Sequence, residues 1–580
     1  MLIGLDTETF YDTKAGLDIK TMGGWHYTRA CPAYLVALYC PEWSYVGAAE
    51  DAPWERIRGC TIAAHNAAFD EQVIKALQEK GIIPADLKLD FVCSADLASY
   101  LGAPRALQGA AELLLGKAVS KDPRSYMDGK QWADAVAAGK AEELKFYCLN
   151  DALLTYEIAA RYLPQWPEKE QRVSKLTREA AYTGVHINVS ALEEGLAKLQ
   201  QVMMEAASQI PWSKDDKILS PKALKKHCKL AGIEPPSSLA ESNEQCAAWE
   251  EEHDNIPWVR AMRNWRKANT LLTKLRVLQS RIRPDGTAGV NSLKYFGAGT
   301  GRFSGEGEKF NIQNLHREAI FGVDIRSLII PPPGHKFIIA DFAQIEPRVL
   351  ACLVGNKALL ERVKEGGKSL YQAHAELTMG WNPEKDLKKE DPMLYRQSKA
   401  AVLGLGYSCG AARFSSMARS LAGLKITESE AEKIVQHFRA TNPLITRYWR
   451  DLSQRFKLNR GKDFLLELPS GRTIRYRNAN PHEEWTAQLQ SRTMKIYGGL
   501  LCENCTQATA RDILADAILR LDEAGYKTLF SVHDEVIIAV PEEQAEKALQ
   551  DIRRLMCIPP DWMPDIPLEV SAEIADCYRK

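Results

Sequence analysis

Phe337-Ile338-Ile339-Ala340-Asp341 and, far downstream, Ser531-Val532-His533-Asp534-Glu535 are the two stretches on which the reading of this chain turns. The first is a short apolar run ending in a carboxylate, preceded by Pro331-Pro332-Pro333-Gly334. Turn residues bounding such a run mark a buried strand. The second sets a charged turn between two apolar halves, Leu529-Phe530 and Val536 to Val540. Such a turn is ordinarily no more than a hairpin tip. Laid antiparallel, however, the two segments would carry Asp341 and Asp534 side by side, and paired carboxylates hold the divalent cations of a two-metal phosphoryl-transfer site.

Between these strands runs Tyr395-Arg396-Gln397-Ser398-Lys399-Ala400-Ala401-Val402-Leu403-Gly404-Leu405-Gly406-Tyr407. On a helix, Arg396, Lys399, Leu403 and Tyr407 fall at spacings of three, four and four and share one stripe. The stripe is either an amphipathic surface with its basic end in water, or a cationic end for a triphosphate with an apolar end for sugar and base. The chain has no G-x-x-x-x-G-K-[ST] loop, so an ATPase-type cradle is excluded and a nucleotide must be held another way.

Toward the N-terminus, residues 1 to about 165 alternate β-rich runs (Leu2 to Leu5, Leu35 to Tyr39, Thr61 to Ala64) with helical stretches (Asp70 to Glu79, Ala141 to Arg161), the pattern of an α/β domain. Asp6 and Glu8 lie two apart at a strand end and can leave one face. Asn66 and Asp70 stand four apart at a helix start, and Tyr147 and Asp151 repeat that spacing. Each pair alone is an ordinary surface pattern. Together, four carboxylates and a phenol able to orient water suit phosphodiester hydrolysis with two hard cations such as Mg²⁺. His65, beside Asn66, is read as structural because Tyr147 fills the water-orienting place.

From Glu168 to about Gln279 the chain is helical and charge-laced, residues 356 to 460 are again helical, and Leu529 to Val540 returns to strand. No period of 20 to 50 residues recurs, which excludes a repeat architecture. At 580 residues the chain exceeds what one core supports. Its net charge is zero but unevenly spread: Met1 to Gln165 carries 16 Lys and Arg against 22 Asp and Glu, a net of −6, and Arg260 to Arg326 carries 13 against 5, a net of +8. The basic stretch is either a solvated face or a phosphate-binding surface. No apolar run suits a membrane span, and the N-terminus lacks the basic and apolar regions of an export signal, so a cytoplasmic protein is expected. The only close cysteine pair is Cys502 and Cys505; the thirteen cysteines are read as reduced thiols.

In order and separation, the three N-terminal acid-bearing segments resemble the exonuclease motifs of the DnaQ-like (RNase H-like) fold found in DNA polymerase I proofreading domains. The downstream segments resemble motifs A, B and C of the DNA polymerase I family, family A. With Thr300-Gly301-Arg302-Phe303-Ser304 and Asn311-Ile312-Gln313-Asn314, that likeness extends over about residues 170 to 580. It implies a multi-domain α/β protein with a 3′-5′ exonuclease domain at 1–165, a mostly helical thumb and connecting region at 166–325, palm segments at 326–355 and 481–580, and fingers at 356–480. Asp6, Glu8, Asp70 and Asp151 would bind metal while Tyr147 orients water. Asp341 and Asp534 would bind the two polymerase metals, Mg²⁺ with Mn²⁺ as a possible substitute. Lys399 and Arg396 would contact the triphosphate, Leu403 would face the sugar, Glu346 would exclude a ribose 2′-OH, and Tyr407 would pack beneath the nascent pair. Arg302 and Gln507 would reach minor-groove acceptors, which test shape without reading sequence. Gln313, Asn314, Asn504 and His533 would lie at the DNA.

The sequence departs from the family pattern in places. Tyr395 stands where an arginine is usual, so Arg396 takes the phosphate role; Leu403 replaces an aromatic; and Asn504 precedes Gln507 by three residues where four is common. No segment resembles a 5′-nuclease domain. Leu468-Pro469-Ser470-Gly471-Arg472 gives the chain the look of bacteriophage members, and replication of phage or prophage DNA is the expected role. Primer-template DNA and deoxynucleoside triphosphates are the expected partners of a monomer, with no helicase or processivity factor identified. The competing readings are a nuclease on a DNA-binding polymerase-like scaffold, an enzyme that makes or copies RNA, and a structural nucleic-acid binder.

Overall fold

A computed structural model describes residues 1–118, 123–239, 244–305, 310–482 and 484–579. The N-terminal unit is built on a five-stranded sheet in the order Trp43–Gly47, Ala33–Cys40, Leu2–Thr9, Thr61–Ala64, Asp90–Cys93. Leu2–Thr9 is central, antiparallel to Ala33–Cys40 and parallel to Thr61–Ala64. Ile3, Leu5, Val36, Leu38 and Ile62 pack in one cluster, which is why these strands read as apolar runs. The long helix Ala141–Tyr162 lies directly on the central strand. A Cβ at Gly4 would stand 2.1 Å from the Ala152 carbonyl oxygen, so only glycine lets helix and strand approach this closely.

The second sheet is antiparallel throughout, in the order Thr528–Val532, Glu535–Pro541, His335–Phe342, Val570–Ala575. Its strands divide their residues between two cores with the two-residue period of a strand. Ile338, Ala340, Val536, Ile538 and Val540 pack with helices Gly498–Glu523 and Ala545–Met556. Phe337, Ile339 and Ile537 pack instead with Leu192, Leu199, Leu271 and Leu275 of helices Val189–Ser208 and Pro257–Ser280. Burial on both faces accounts for the unbroken apolar run before Asp341.

Helices from Ile345–Leu353 to Pro443–Lys457 follow the Asp341 strand, then a four-stranded meander of Phe464–Glu467, Thr473–Asn480, Thr486–Leu489 and Arg492–Lys495. The boundary expected at 480/481 therefore falls inside a sheet, because Arg477 and Asn480 pair with Gln488 and Thr486. Helix Pro392–Leu405 also ends earlier than the stripe implied, leaving Tyr407 in the turn beyond Gly406.

A buried polar cluster ties the segment after the N-terminal unit to helix Gly498–Glu523. Arg511 donates to both carboxylate oxygens of Glu170 at 2.6 and 2.9 Å, and Tyr295 donates to Glu170 at 2.6 Å. Trp166 Nε1 in turn donates to the Tyr295 hydroxyl at 3.1 Å. All thirteen cysteines are free thiols. Among the described residues no helix is long and apolar enough to cross a membrane.

Candidate active sites

Asp341 ends one central strand of the second sheet, opposite Glu535 of its neighbour, and Phe342 N–H donates to the Asp534 carbonyl at 3.2 Å. The expected juxtaposition of Asp341 and Asp534 is thus present in the backbone. The connecting turn puts His533 at φ +56°, a conformation rare for a non-glycine residue, and leaves its side chain exposed.

One further carboxylate, Glu346, stands beside this pair with an arginine and a tyrosine. Arg302 Nη2 lies 2.6 Å from Glu346 Oε1 and 3.8 Å from Asp534 Oδ1. The Tyr407 hydroxyl donates to Glu346 Oε2 at a long 3.5 Å. Burial, then the charge of Glu346, pushes the Tyr407 phenol well above its ordinary range, so it stays a donor. Tyr407 is fixed from behind: a Cβ at Gly499 would stand 2.3 Å from the Tyr407 carbonyl oxygen, so the start of helix Gly498–Glu523 sits hard against this turn.

Helix Pro392–Leu405 buries Ser398, Ala400, Ala401, Gly404 and Leu405. Ser398 Oγ donates to the Tyr371 carbonyl at 2.7 Å, which pins that face inward. Arg396 is consequently exposed, while Lys399 and Leu403 are half-buried on the outward side. Gln313 and Asn314 sit on the short 3-10 turn Ile312–Asn314, half-buried and exposed respectively.

Asn504 lies elsewhere than expected. Its side chain is buried and donates to the Tyr476 hydroxyl at 2.7 Å, because a residue three before Gln507 is rotated toward the meander. Glu503, four before Gln507, shares its face and accepts from Gln507 Nε2 at 3.2 Å. Burial and then Glu346 raise the Glu503 carboxyl above its ordinary range. The i, i+4 spacing was the signal by which Glu503 could have been found.

In the N-terminal unit, the central strand presents Asp6 and Glu8, the helix after Asn66 presents Asp70, and helix Ala141–Tyr162 presents Tyr147 and Asp151. Glu8, Asp70, Tyr147 and Asp151 are all buried. Burial, relieved in part by Cys148 and Arg124, raises the Asp6 carboxyl to about 6. Burial and then the charge of Asp6 push Asp70 well above the carboxylate range. Asp6 Oδ2 is buried with no hydrogen-bond partner, whereas Asp70 Oδ1 accepts from Thr7 Oγ1 at 2.7 Å. Among the described residues, no three His, Cys, Asp or Glu side chains already converge into an ion cage. Close carboxylates at elevated pKa, with a buried oxygen lacking a donor, are nonetheless the hard-oxygen set that Mg²⁺ takes. Thr7 and Arg124, which touch these acids, were not found from sequence; Arg124 carries no local signal at all.

His65 is half-buried between the Ser94 hydroxyl and the Arg105 carbonyl, 2.8 Å from each, and the removal of its ring from water holds its imidazole down to about 4. A neutral ring donating to one neighbour and accepting from the other fits a structural role.

The basic stretch is less free than its sequence charge suggests. Arg266 is buried and lies 2.8 Å from Glu250, Arg263 lies 2.6 Å from Asp254, and buried Arg283 and Arg326 donate to main-chain carbonyls. Residues 306–309 lie outside the described residues. Arg263, Lys267, His316 and Arg317 do line one open cavity of about 570 Å³.

The family model described as DNA polymerase family A matches residues 189–580. The DNA polymerase of Bacillus phage SP02 is 27% identical over an alignment covering 100% of this chain and 99% of that protein. DNA polymerase I of Aquifex aeolicus is 24% identical, covering 90% of this chain and 88% of the relative. Thermostable DNA polymerase I of Thermus thermophilus is 24% identical over 77% of this chain but only 52% of its own length. Among solved structures, the POL domain of Pol1 from M. smegmatis, in complex with DNA primer-template and dNTP, has the same fold at a TM-score of 0.70 and 19% identity, covering 99% of this chain and 95% of that one.

Proposed function

The chain belongs to DNA polymerase family A, and from that footing we propose that it adds deoxynucleotides to a primer 3′ end on a DNA template and removes misplaced ones at a separate 3′-5′ exonuclease site. The observation that carries the first half is the pairing of the Asp341 strand with the hairpin bearing Asp534, with Arg302 and Glu346 beside them. The second half rests on the buried acids of the central N-terminal strand and the helices against it.

In this reading Asp341 and Asp534 hold one pair of Mg²⁺ ions, and Asp6, Glu8, Asp70 and Asp151 hold another. Such ions supply Lewis-acid stabilisation of charge at the transferring phosphoryl group. The protein's own groups do the rest. Lys399 and Arg396 line the outward face of their helix and take the triphosphate, while Leu403 covers the sugar. Glu346, braced by Tyr407, occupies the space a 2′-hydroxyl would need. Arg302, held between Glu346 and Asp534, lies where a primer terminus would meet the incoming nucleotide, with Gln313, Asn314, Gln507 and His533 around the duplex. Tyr147 orients water at the exonuclease site. The division proposed is exonuclease to about 165, a helical thumb to about 325, and a palm split by fingers, with the meander as their junction. Phage or prophage replication is the proposed setting, supported by alignment along the whole SP02 protein.

Extension and degradation of a labelled primer on a DNA template with Mg²⁺ test this. Asp341→Ala or Asp534→Ala should abolish extension and keep degradation, and Asp6→Ala with Glu8→Ala should do the reverse. Loss of both activities in either folded variant refutes the two-site reading.

A further inference from the structure

Arg124 stands at the mouth of the proposed exonuclease site. Its guanidinium Nε is 3.9 Å from Glu8 Oε1, and its Cζ lies 5.2 Å from the centre of the Tyr147 ring. It therefore touches both an acid proposed to hold metal and the phenol proposed to orient water. Nearly half of the Arg124 side chain, 45%, is exposed, against 9% for Glu8, so the cation faces solvent where the carboxylate does not.

The position is built. Immediately after Thr9, the chain carrying Asp6 and Glu8 turns and grips the 124–129 segment at four points. Tyr11 donates its hydroxyl to the Arg124 carbonyl at 2.8 Å, and Gly129 N–H donates back to the Tyr11 carbonyl at 2.8 Å. Thr13 N–H and Oγ1 donate to the two oxygens of Asp128 at 2.9 and 2.6 Å. Met127 is fully buried beneath, packed with Leu35 and Cys148. The strand that presents the acids thus fixes the backbone that presents the arginine.

From this arrangement, and resting on the exonuclease reading, we propose that Arg124 is a ligand for the scissile phosphodiester at the 3′ end of a DNA strand. A phosphate approaching these four acids meets like charge, which the metal ions and a forked cation at the rim offset together. Guanidinium donors match phosphate oxygens in pairs, and Tyr147 supports the cation on its ring face. In hydrolysis the bond from water oxygen to phosphorus forms and the bond from phosphorus to the 3′-oxygen breaks. The water gives up a proton and the 3′-oxygen takes one up. Charge then grows on the non-bridging oxygens, where Arg124 donates.

The test uses the full chain and a 5′-labelled single-stranded oligonucleotide in Mg²⁺, with Arg124→Ala, Arg124→Lys, Asp6→Ala and the surface control Arg58→Ala, each checked by thermal melting. Arg124→Ala should lower kcat for degradation by about 100-fold, the scale for losing one donor to developing charge. Arg124→Lys should recover part of it, added guanidinium should partly rescue the alanine variant, and Arg58→Ala should match wild type. In EDTA, fluorescence anisotropy should show weaker oligonucleotide binding by Arg124→Ala. If Arg124→Ala degrades like wild type while Asp6→Ala is dead, this proposal alone fails. It also fails if saturating Mg²⁺ restores the alanine variant, since Arg124 would then only position Glu8. If wild type degrades nothing, the exonuclease reading falls and this proposal with it.

Discussion

Replacing Arg511 by Met should destabilise the protein in a way that fades in acid. Arg511 and Glu170 have side chains only 1% and 4% exposed and meet at 2.6 Å. The arginine is also caged by Tyr295, Phe296 and Phe303, whose ring centres lie 5.4, 4.8 and 5.5 Å from its Cζ. Burial by itself would raise the Glu170 carboxyl; Arg511, with Tyr295, overrides it and holds the group down to about 2 against an ordinary 4.5. Since one pKa unit is 1.36 kcal/mol, that depression is worth about 3 kcal/mol. Because the folded value is the lower one, this stability is present above pH 4.5 and is lost as pH falls toward 2. Removing one partner of a buried pair costs about 3 to 5 kcal/mol, which agrees. Arg511→Met should therefore cost that much at pH 7.5, measured by urea unfolding of both proteins. In the variant Glu170 keeps the Tyr295 hydrogen bond but loses its guanidinium partner, so the pKa of this buried carboxyl must rise and the deficit should shrink as pH drops toward 4.5. Glu170→Gln added to Arg511→Met should restore part of the loss. A deficit that stays constant with pH, together with simple additivity in the double variant, refutes the reasoning.

Glu346→Ala should raise ribonucleotide insertion relative to deoxynucleotide insertion, because it opens the space at C2′ and also releases Arg302 and Tyr407; single-nucleotide kinetics on an Asp6→Ala, Glu8→Ala background measure this. The wild type should discriminate against dideoxynucleotides, since Leu403 offers no hydroxyl in place of a missing 3′-OH, and Leu403→Tyr should weaken that discrimination in the same assay. Equal use of dideoxy- and deoxynucleotides by the wild type would misplace Leu403. Primer-template affinity should fall steeply with salt, and Lys267→Glu with Arg317→Glu should flatten that slope by about one unit for each phosphate no longer neutralised. Arg266→Glu, by contrast, should act on folding, because it sets like charge against buried Glu250.

The sequence by itself determined the strands and the acidic residues they carry. An apolar run ending in Asp341 and a charged turn holding Asp534 could be read locally, because a strand buried on both faces leaves no alternation and a hairpin announces itself by its turn. The same holds for Asp6 and Glu8 at a strand end, and for the outward stripe of Arg396, Lys399 and Leu403, since local periodicity fixes which side chains share a face. Only the tertiary structure decided what those faces meet. Arg302 lies against Glu346 and Asp534, far from it in sequence; Asn504 turns inward to Tyr476 while Glu503 takes the place beside Gln507. Charge summed along residues 260–326 overstated the cationic surface, because burial pairs Arg266 with Glu250 and sends Arg283 and Arg326 to carbonyls. Glu170 with Arg511, and Arg124 with Glu8, join residues far apart in the chain. Periodicity and spacing report only on neighbours in sequence, whereas ion pairing and desolvation depend on distance in space, and the folded packing alone sets that distance.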